Sequence, residues 1–322
     1  MKKVFVAISS GIDSAMAVKI LIKKYDVTGV FFRLIDFSED EKKAKEIADY
    51  FKIPFLVFDF RKEFKKKVMD EFVCSFKKGI TPNPCVYCNR EIKFNLFFKE
   101  AKKRGADFIA TGHYVRKRGD FLYKAKDEKK DQSYFLWQLT KEQIKHSLFP
   151  LGDFKKEDVK KIMKMRDVKD SQEVCFIKDS LFDFLKEKVG IKKGKILDEN
   201  NNILGEHSGV WFYTIGQRKG LDLAQGPFFV FKKDLKKNIL YITKNKDLLL
   251  KKEVKFKKVN WFIEPEFPFL AKAKIRYRGE EKLCTVYKNK AVFKIAQSAP
   301  TSGQSIVFYK NKKLLGGGII YE

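Results

Sequence analysis

The sequence predicts an α/β protein, with a parallel sheet in its N-terminal half and an all-β C-terminal half. Three observations carry this. Short β-branched runs alternate with helix-period segments through the first third of the chain, the pattern of a parallel sheet with right-handed crossovers. From about Lys178 short strands separated by Gly, Asn and Lys turns take over. The length of 322 residues exceeds what a single core usually spans, so the chain is expected to divide, near 180 and near 250.

Residues 2–8 read as a strand, because their apolar run is ended by Ser9-Ser10-Gly11 and followed by helical spacing from Ala15 to Tyr25. Val27 to Ile35 gives a second strand and Ser38 to about Phe51 a helix. Phe55 to Asp59 is a third strand, with a helix from Glu63 to Lys77. The two prolines of Gly79-Ile80-Thr81-Pro82-Asn83-Pro84-Cys85 interrupt the pattern before a helix containing Glu91 to Lys103. Asp107 to Thr111 is a further strand. In the second half, residues 194–202 read as a hairpin turn.

Composition narrows the function classes. Hydrophobic residues make up 44% of the chain, enough for packed cores, so disorder is excluded. No apolar run approaches a membrane span, and the Val4 to Ile8 run is too short for a signal h-region. A soluble, cytoplasmic protein is expected. The net charge of +28 asks for an anionic partner, nucleic acid first. Only ten of the 69 basic residues are Arg, however, and a Lys-biased genome would produce the same excess. Five cysteines in such a chain point to redox chemistry, metal or catalysis rather than to a disulfide framework.

Three segments carry chemistry. Ser9-Ser10-Gly11-Ile12-Asp13-Ser14 lies between strand and helix, where backbone N–H groups and the helix N-terminus attract an anion. It has neither the Walker ending nor GxGxxG. In Asn83 to Phe94, Cys88 is expected near a helix N-terminus beside Arg90 and Lys93, a setting that stabilises thiolate. A single CxxC, Cys85 and Cys88, falls short of a zinc knuckle. In Asp170-Ser171-Gln172-Glu173-Val174-Cys175-Phe176-Ile177, Cys175 becomes a candidate second thiol once Cys88 is considered. Cys74 and Cys284 read as core residues.

The sequence resembles the tRNA-specific 2-thiouridylases, along nearly its whole length and in order. Residues 9–14 are similar to the pyrophosphate loop SGGxDS of adenylating ATP pyrophosphatases, with Ser10 in place of a glycine, where a Cβ could crowd the pyrophosphate. Thr81 to Phe94 matches TPNPxxxCNxxIKF, Ala110 to Tyr114 matches ATGHY, and Lys130 to Leu136 matches KDQSYFL. Cys175-Phe176-Ile177, Gly205-Glu206-His207, Gly216 to Leu221, Arg276-Tyr277-Arg278, Pro300 to Ser305 and Gly316 to Ile320 complete the series.

The resemblance implies a Rossmann-like, adenine nucleotide α-hydrolase-like domain over 1–180, a small central tRNA-binding domain over 181–250 and a β-barrel over 251–322. It implies ATP-dependent 2-thiolation of the wobble uridine in tRNAs such as those for Lys, Glu and Gln. The carbonyl oxygen is adenylated, and sulfur then arrives from a cysteine persulfide. Cys88 and Cys175 would be the catalytic pair, ending as a disulfide, with the assignment of the two roles open. Ala7, Ile8, Ser9, Ser10, Gly11, Ile12, Asp13, Ser14, Phe32 and Gly112 would line the nucleotide site, and Asp13 either helps to position Mg²⁺ or caps the helix. Asn83, Pro84, Cys85, His113, Lys130, Asp131, Gln132, Arg276, Tyr277 and Gln304 would touch tRNA. His113 has a plainer alternative as a polar strand end. A [4Fe–4S] cluster on Cys85, Cys88 and Cys175 is the competing sulfur chemistry. The resemblance also implies a cysteine desulfurase or sulfur-relay partner, and the protein is expected to be a monomer without membrane contact. Two rivals stay open: another pyrophosphate-loop enzyme, such as a 4-thiouridine synthetase or an amide-forming ligase, and a basic RNA-binding protein.

Overall fold

A computed structural model describes residues 1–36, 38–164, 174–177, 180–224 and 226–321. The chain forms two compact units. The first comprises Met1–Val68, Cys85–Cys175 and Tyr309–Gly316, and the second Met69–Pro84, Phe176–Phe308 and Gly317–Glu322.

In the first unit, β1 (Lys3–Ala7), β2 (Asp26–Arg33), β3 (Phe55–Asp59) and β4 (Phe108–Ala110) are followed by the hairpin β5 (Val115–Arg118) and β6 (Phe121–Lys124), then β7 (Ser147–Leu148). Five of these make a sheet in the order β3-β2-β1-β4-β7, and every pairing is parallel. β1 is central and buried on both faces, which is why Val4-Phe5-Val6 is a continuous apolar run rather than an alternating one. On one face Val4, Val6 and Ile8 pack with Ala17 and Leu21 of helix α1 (Ile12–Leu21), and with Ala44 and Ala48 of helix α2 (Ser38–Tyr50). The i,i+4 spacing of those pairs sets each helix's inward stripe. On the opposite side of α1, Ile12 and Met16 pack with Tyr114, Leu151 and Val159. The strand order reverses between β1 and β4, so the loops leaving their carboxyl ends flank the crevice where α/β sheets take ligands.

Helical turns run from Arg61 to Lys77, with a π-helical stretch at Lys65–Met69, and again from Pro84 to Lys103, with one at Asn89–Leu96. The second starts earlier than the apolar spacing suggests, because Pro84 occupies its first position, where a missing N–H costs nothing. The β5–β6 hairpin is not anticipated by the strand–helix alternation. Its strands are only four residues each, and Arg116, Lys117 and Arg118 hide the period-2 signal.

In the second unit, β8 (Gly194–Leu197), β9 (Ile203–His207), β10 (Phe229–Asp234) and β11 (Ile239–Thr243) form a sheet ordered β10-β11-β8-β9. The predicted hairpin is β8–β9, turning at Asp198, which accepts from the N–H groups of Asn200 and Asn202. β12 (Leu250–Trp261), β13 (Phe269–Lys274), β14 (Lys282–Val286), β15 (Lys290–Ser298), β16 (Ser305–Lys310) and β17 (Lys313–Ile320) follow in the order β12-β15-β14-β13-β16-β17, with Tyr309–Gly316 of the last two counted in the first unit, and a β12–β17 pairing closes the barrel. Alternate residues such as Ala271, Ala273, Cys284 and Val286 fill its interior. No helix among the described residues is long and apolar enough to cross a membrane.

Candidate active site

The loop after β1 is held closed from within. Ser14 Oγ accepts from the Ser9 N–H at 3.1 Å and lies 3.0 Å from the Ser9 carbonyl and 2.8 Å from that of Gly11, and Ser9 Oγ accepts from the Gly11 N–H. Ile8 and Ile12 are core side chains, 3% and 2% exposed, so their contribution to any ligand is through backbone. Ala7, Ser10 and Gly11 are half-buried and Ser9 is exposed. A Cβ on Gly11 would meet only Ser9 Oγ, at 3.4 Å, so protein packing does not demand glycine there. A backbone site for close anion approach gives it a reason. Gly112 is different. A Cβ there would stand 3.1 to 3.2 Å from the backbone of Asp13 and Ser14, so this glycine lets the end of β4 approach the loop.

Asp13 is fully engaged. Lys156 Nζ donates to both carboxylate oxygens, at 2.7 and 2.6 Å, and Tyr114 Oη donates at 2.7 Å. Lys156 is 9% exposed, and its own N–H is held by Asp127. Asp13 therefore does not cap α1, whose N-cap is Gly11; its carboxylate ties the loop to Lys156. Tyr114 is fixed in turn by Gln132, whose side-chain oxygen accepts from the Tyr114 N–H and whose N–H donates to the Tyr114 carbonyl. Lys156 and Tyr114 were not among the sequence candidates, because a lysine in a basic helix and a tyrosine after His113 carry no signal until the fold brings them to Asp13.

The candidate thiols also belong to this unit. Cys85 and Cys88 lie on the helix begun by Pro84, and Cys175 ends the unit's second segment. Cys175 raises the thiols of both Cys85 and Cys88, Cys85 also raises Cys88, and Lys93 lowers all three. The expectation of a stabilised Cys88 thiolate is corrected. Cys88 is one turn into the helix rather than at its N-terminus, and burial pushes its thiol up to about 12, outweighing the pull of Lys93. Burial likewise raises Cys85. Cys175 is exposed as a residue, yet the protein beside it still raises its thiol. Among the described residues no three His, Cys, Asp or Glu side chains converge as metal ligands, so the iron–sulfur arrangement does not fit this geometry. The residues Asp170 to Glu173 lie outside the described residues.

His113 is buried against Phe94, and its Nδ1 lies 2.8 Å from Thr111 Oγ1. Burial and Lys93 hold its pKa well below the usual histidine value. Phe32 packs edge-on against Phe97, with ring centroids 4.8 Å apart, and against Phe60. Asp131, expected at the tRNA, is 3% exposed and accepts from the N–H groups of Ala125 and Ser133 and from Ser133 Oγ. Lys130 is half-buried beside it.

Other candidates belong to the second unit. Gln304 is likewise turned inward, its Nε2 donating to the Thr81 carbonyl at 2.9 Å. The Thr81 N–H donates to Ser302, and Thr81 Oγ1 lies 3.0 Å from Thr214 Oγ1. Arg276 donates to the carbonyls of Ser298 and Ala299, and Tyr277 is half-buried. Asn83 and Pro84 are buried.

A parallel sheet with a serine–glycine loop at its switch point, followed by two β domains, defines a nucleotide-binding α/β enzyme of the HUP type. The family described as "tRNA methyl transferase HUP domain" matches residues 2–179, "tRNA methyl transferase PRC-barrel domain" matches 182–244, and "Aminomethyltransferase beta-barrel domain" matches 251–320. The tRNA-specific 2-thiouridylase MnmA of Clostridioides difficile is 40% identical, over 99% of this chain and 98% of its own. That of Syntrophomonas wolfei is 40% identical over 99% and 100%, and that of Chlamydia abortus 38% over 99% and 97%. The chain belongs to the tRNA-specific 2-thiouridylase family of tRNA sulfurtransferases.

Proposed function

We propose that the chain converts the wobble uridine of tRNA to 2-thiouridine, in two chemical stages. ATP adenylates the C2 carbonyl oxygen at the loop of residues 9–14, turning a poor leaving group into AMP and releasing pyrophosphate. The loop's N–H groups and the N-terminus of α1 favour the phosphate charge, and Mg²⁺ enters as the counter-ion of ATP. The terminal sulfur of a Cys175 persulfide then attacks C2 and AMP leaves. Cys88 thiolate attacks Cys175 Sγ, the 2-thiouridine is freed, and a Cys88–Cys175 disulfide remains. The transferred sulfur gains the two electrons that the cysteines lose, so a reductant is needed before the next turnover.

The observation that supports this reading is that the Cys88 thiol feels both Cys175 and Lys93, in the unit that holds the loop. It also bears on the names of the matching domain families. Methyl transfer does not need paired thiols, whereas persulfide transfer resolved to a disulfide does. With Cys88 raised by burial to about 12, its resting thiol is protonated, and a base or a change of its surroundings on substrate binding has to release the proton.

The test is nucleoside mass spectrometry of unmodified tRNA incubated with protein, ATP, Mg²⁺ and a persulfide-generating cysteine desulfurase. 2-Thiouridine is expected with the wild type, and none with Cys88→Ala or Cys175→Ala. 4-Thiouridine in its place would reduce the reading to the ATP loop alone, and full activity in both variants would sink the thiol mechanism.

A further inference from the structure

A basic cleft of about 500 Å³ lies in the first unit, on the hairpin side, and has no part in the site described above. It is built by three strand segments. β5 places Arg116 and Arg118 on one face, two residues apart, and β6 sets Tyr123 opposite Arg116 and Phe121 opposite Arg118. Lys313, in the Tyr309–Gly316 segment of the same unit, pairs with Tyr123. Residues directly opposite share a face, so cations and aromatic rings interleave on one surface. Lys313 Nζ lies 3.4 Å from the Phe121 ring centre, and the Arg118 guanidinium 5.5 Å from that of Tyr123. Lys310 and Asn311 form the exposed rim. The other face is inward: Val115 and Leu122 are fully buried, and Lys117 donates to the carbonyls of Lys145 and Ser147.

Not every cation here is equivalent. Arg116 donates to the Lys124 carbonyl, stands 3.8 Å from Asp153 and is only 17% exposed, so it is the floor of the cleft. Lys312 is paired with Glu128. Arg118, Lys310 and Lys313 remain as the outward cations. A Lys-biased genome explains lysines anywhere. It does not explain two of the chain's ten arginines at alternate positions of a four-residue strand, over aromatic rings.

We infer that this cleft seats the sugar–phosphate backbone of tRNA away from the reacting base. The inference rests on the proposed function for the identity of the RNA. Planar guanidinium and ammonium groups suit phosphate oxygens, and flanking rings suit sugar and base faces. The location suits a distal contact. β5 begins at the residue after Tyr114, which bonds Asp13 of the loop, and Arg118 stands about 10–13 Å further along the strand.

The experiment measures binding of unmodified tRNA against salt concentration, for wild type, Arg118→Ala/Lys310→Ala/Lys313→Ala, and a control of equal net charge, Lys23→Ala/Lys42→Ala/Lys43→Ala, at exposed positions elsewhere in the unit. The cleft variant is expected to bind at least about tenfold more weakly at low salt, with a log Kd against log salt slope shallower by about 2 to 3, while the control stays close to wild type. Should the triple variant melt early, Arg118→Glu is read in the same assay and is expected to weaken binding by a similar factor. Cleft and control variants that bind alike would overturn the inference. So would unchanged tRNA binding with lost sulfur uptake from the persulfide donor, which would make the cleft a protein-docking surface. A wild type that binds tRNA through the cleft yet forms no 2-thiouridine would defeat the proposed function and leave the cleft standing.

Discussion

Individual residues decide the chemistry through their surroundings rather than their type. Cys88 is a strong candidate by motif, yet its thiol is held at about 12 by burial. Its alkylation in the free protein is therefore expected to climb about tenfold per pH unit from pH 7 to pH 10 without levelling, because the thiolate fraction is still far from saturation. A plateau near pH 8 to 9, read by mass spectrometry of the Cys88 peptide, would contradict the burial. Asp13 gives a second residue-scale expectation. Lys156→Ala leaves its carboxylate without the ammonium that holds it, and tRNA-dependent pyrophosphate release should fall about ten- to hundredfold. Tyr114→Phe removes one hydrogen bond of three to the same group and should cost about fivefold. Equal rates in wild type and Lys156→Ala would mean that the ion pair serves packing alone.

At the scale of elements, the second unit joins two motifs that lie far apart in sequence. The 300–305 turn and the 79–82 segment are clamped by Gln304 and Ser302, and Lys233 ties Gly79 in turn to Tyr213 by donating to both carbonyls. Gly303 makes this possible. Its φ of +94° is left-handed, and a Cβ would fall 2.3 Å from Ile80 Cγ2 and 2.8 Å from the Thr81 carbonyl oxygen. Gly303→Ala is expected to destabilise by about 2–4 kcal/mol, seen as a drop in the melting midpoint, whereas Gln304→Ala loses about 1–2 kcal/mol. A Gly303→Ala protein melting with the wild type would refute the clamp. The residues that family resemblance assigns to tRNA contact thus include several whose first physical task is to hold another motif in shape.

For the whole molecule, the charge of +28 is the dominant field. Affinity for tRNA is expected to fall steeply with salt, by about three orders of magnitude between 50 and 200 mM if six or more phosphates are engaged. A flat dependence, measured by filter binding or fluorescence anisotropy, would assign the lysine excess to composition.

The α/β half was legible because its central strand is buried on both faces and reads as an unbroken apolar run, Val4 to Val6, while Ala44 and Ala48 mark a helix stripe. The turn at Asp198 was legible because its hydrogen bonds are local. The site was legible only where a motif is contiguous, as in residues 9–14 and 83–88. The β5–β6 hairpin, the turn of Asp131 inward, the capture of Asp13 by Lys156 and the burial of Cys88 were not. Each depends on partners distant in sequence and on how much protein surrounds a group, and periodicity carries neither. The sequence by itself determined the sheet, its order of elements and the family. Tertiary structure alone decided which polar groups meet and which thiols lie out of water, because desolvation and ion pairing are properties of neighbours in space.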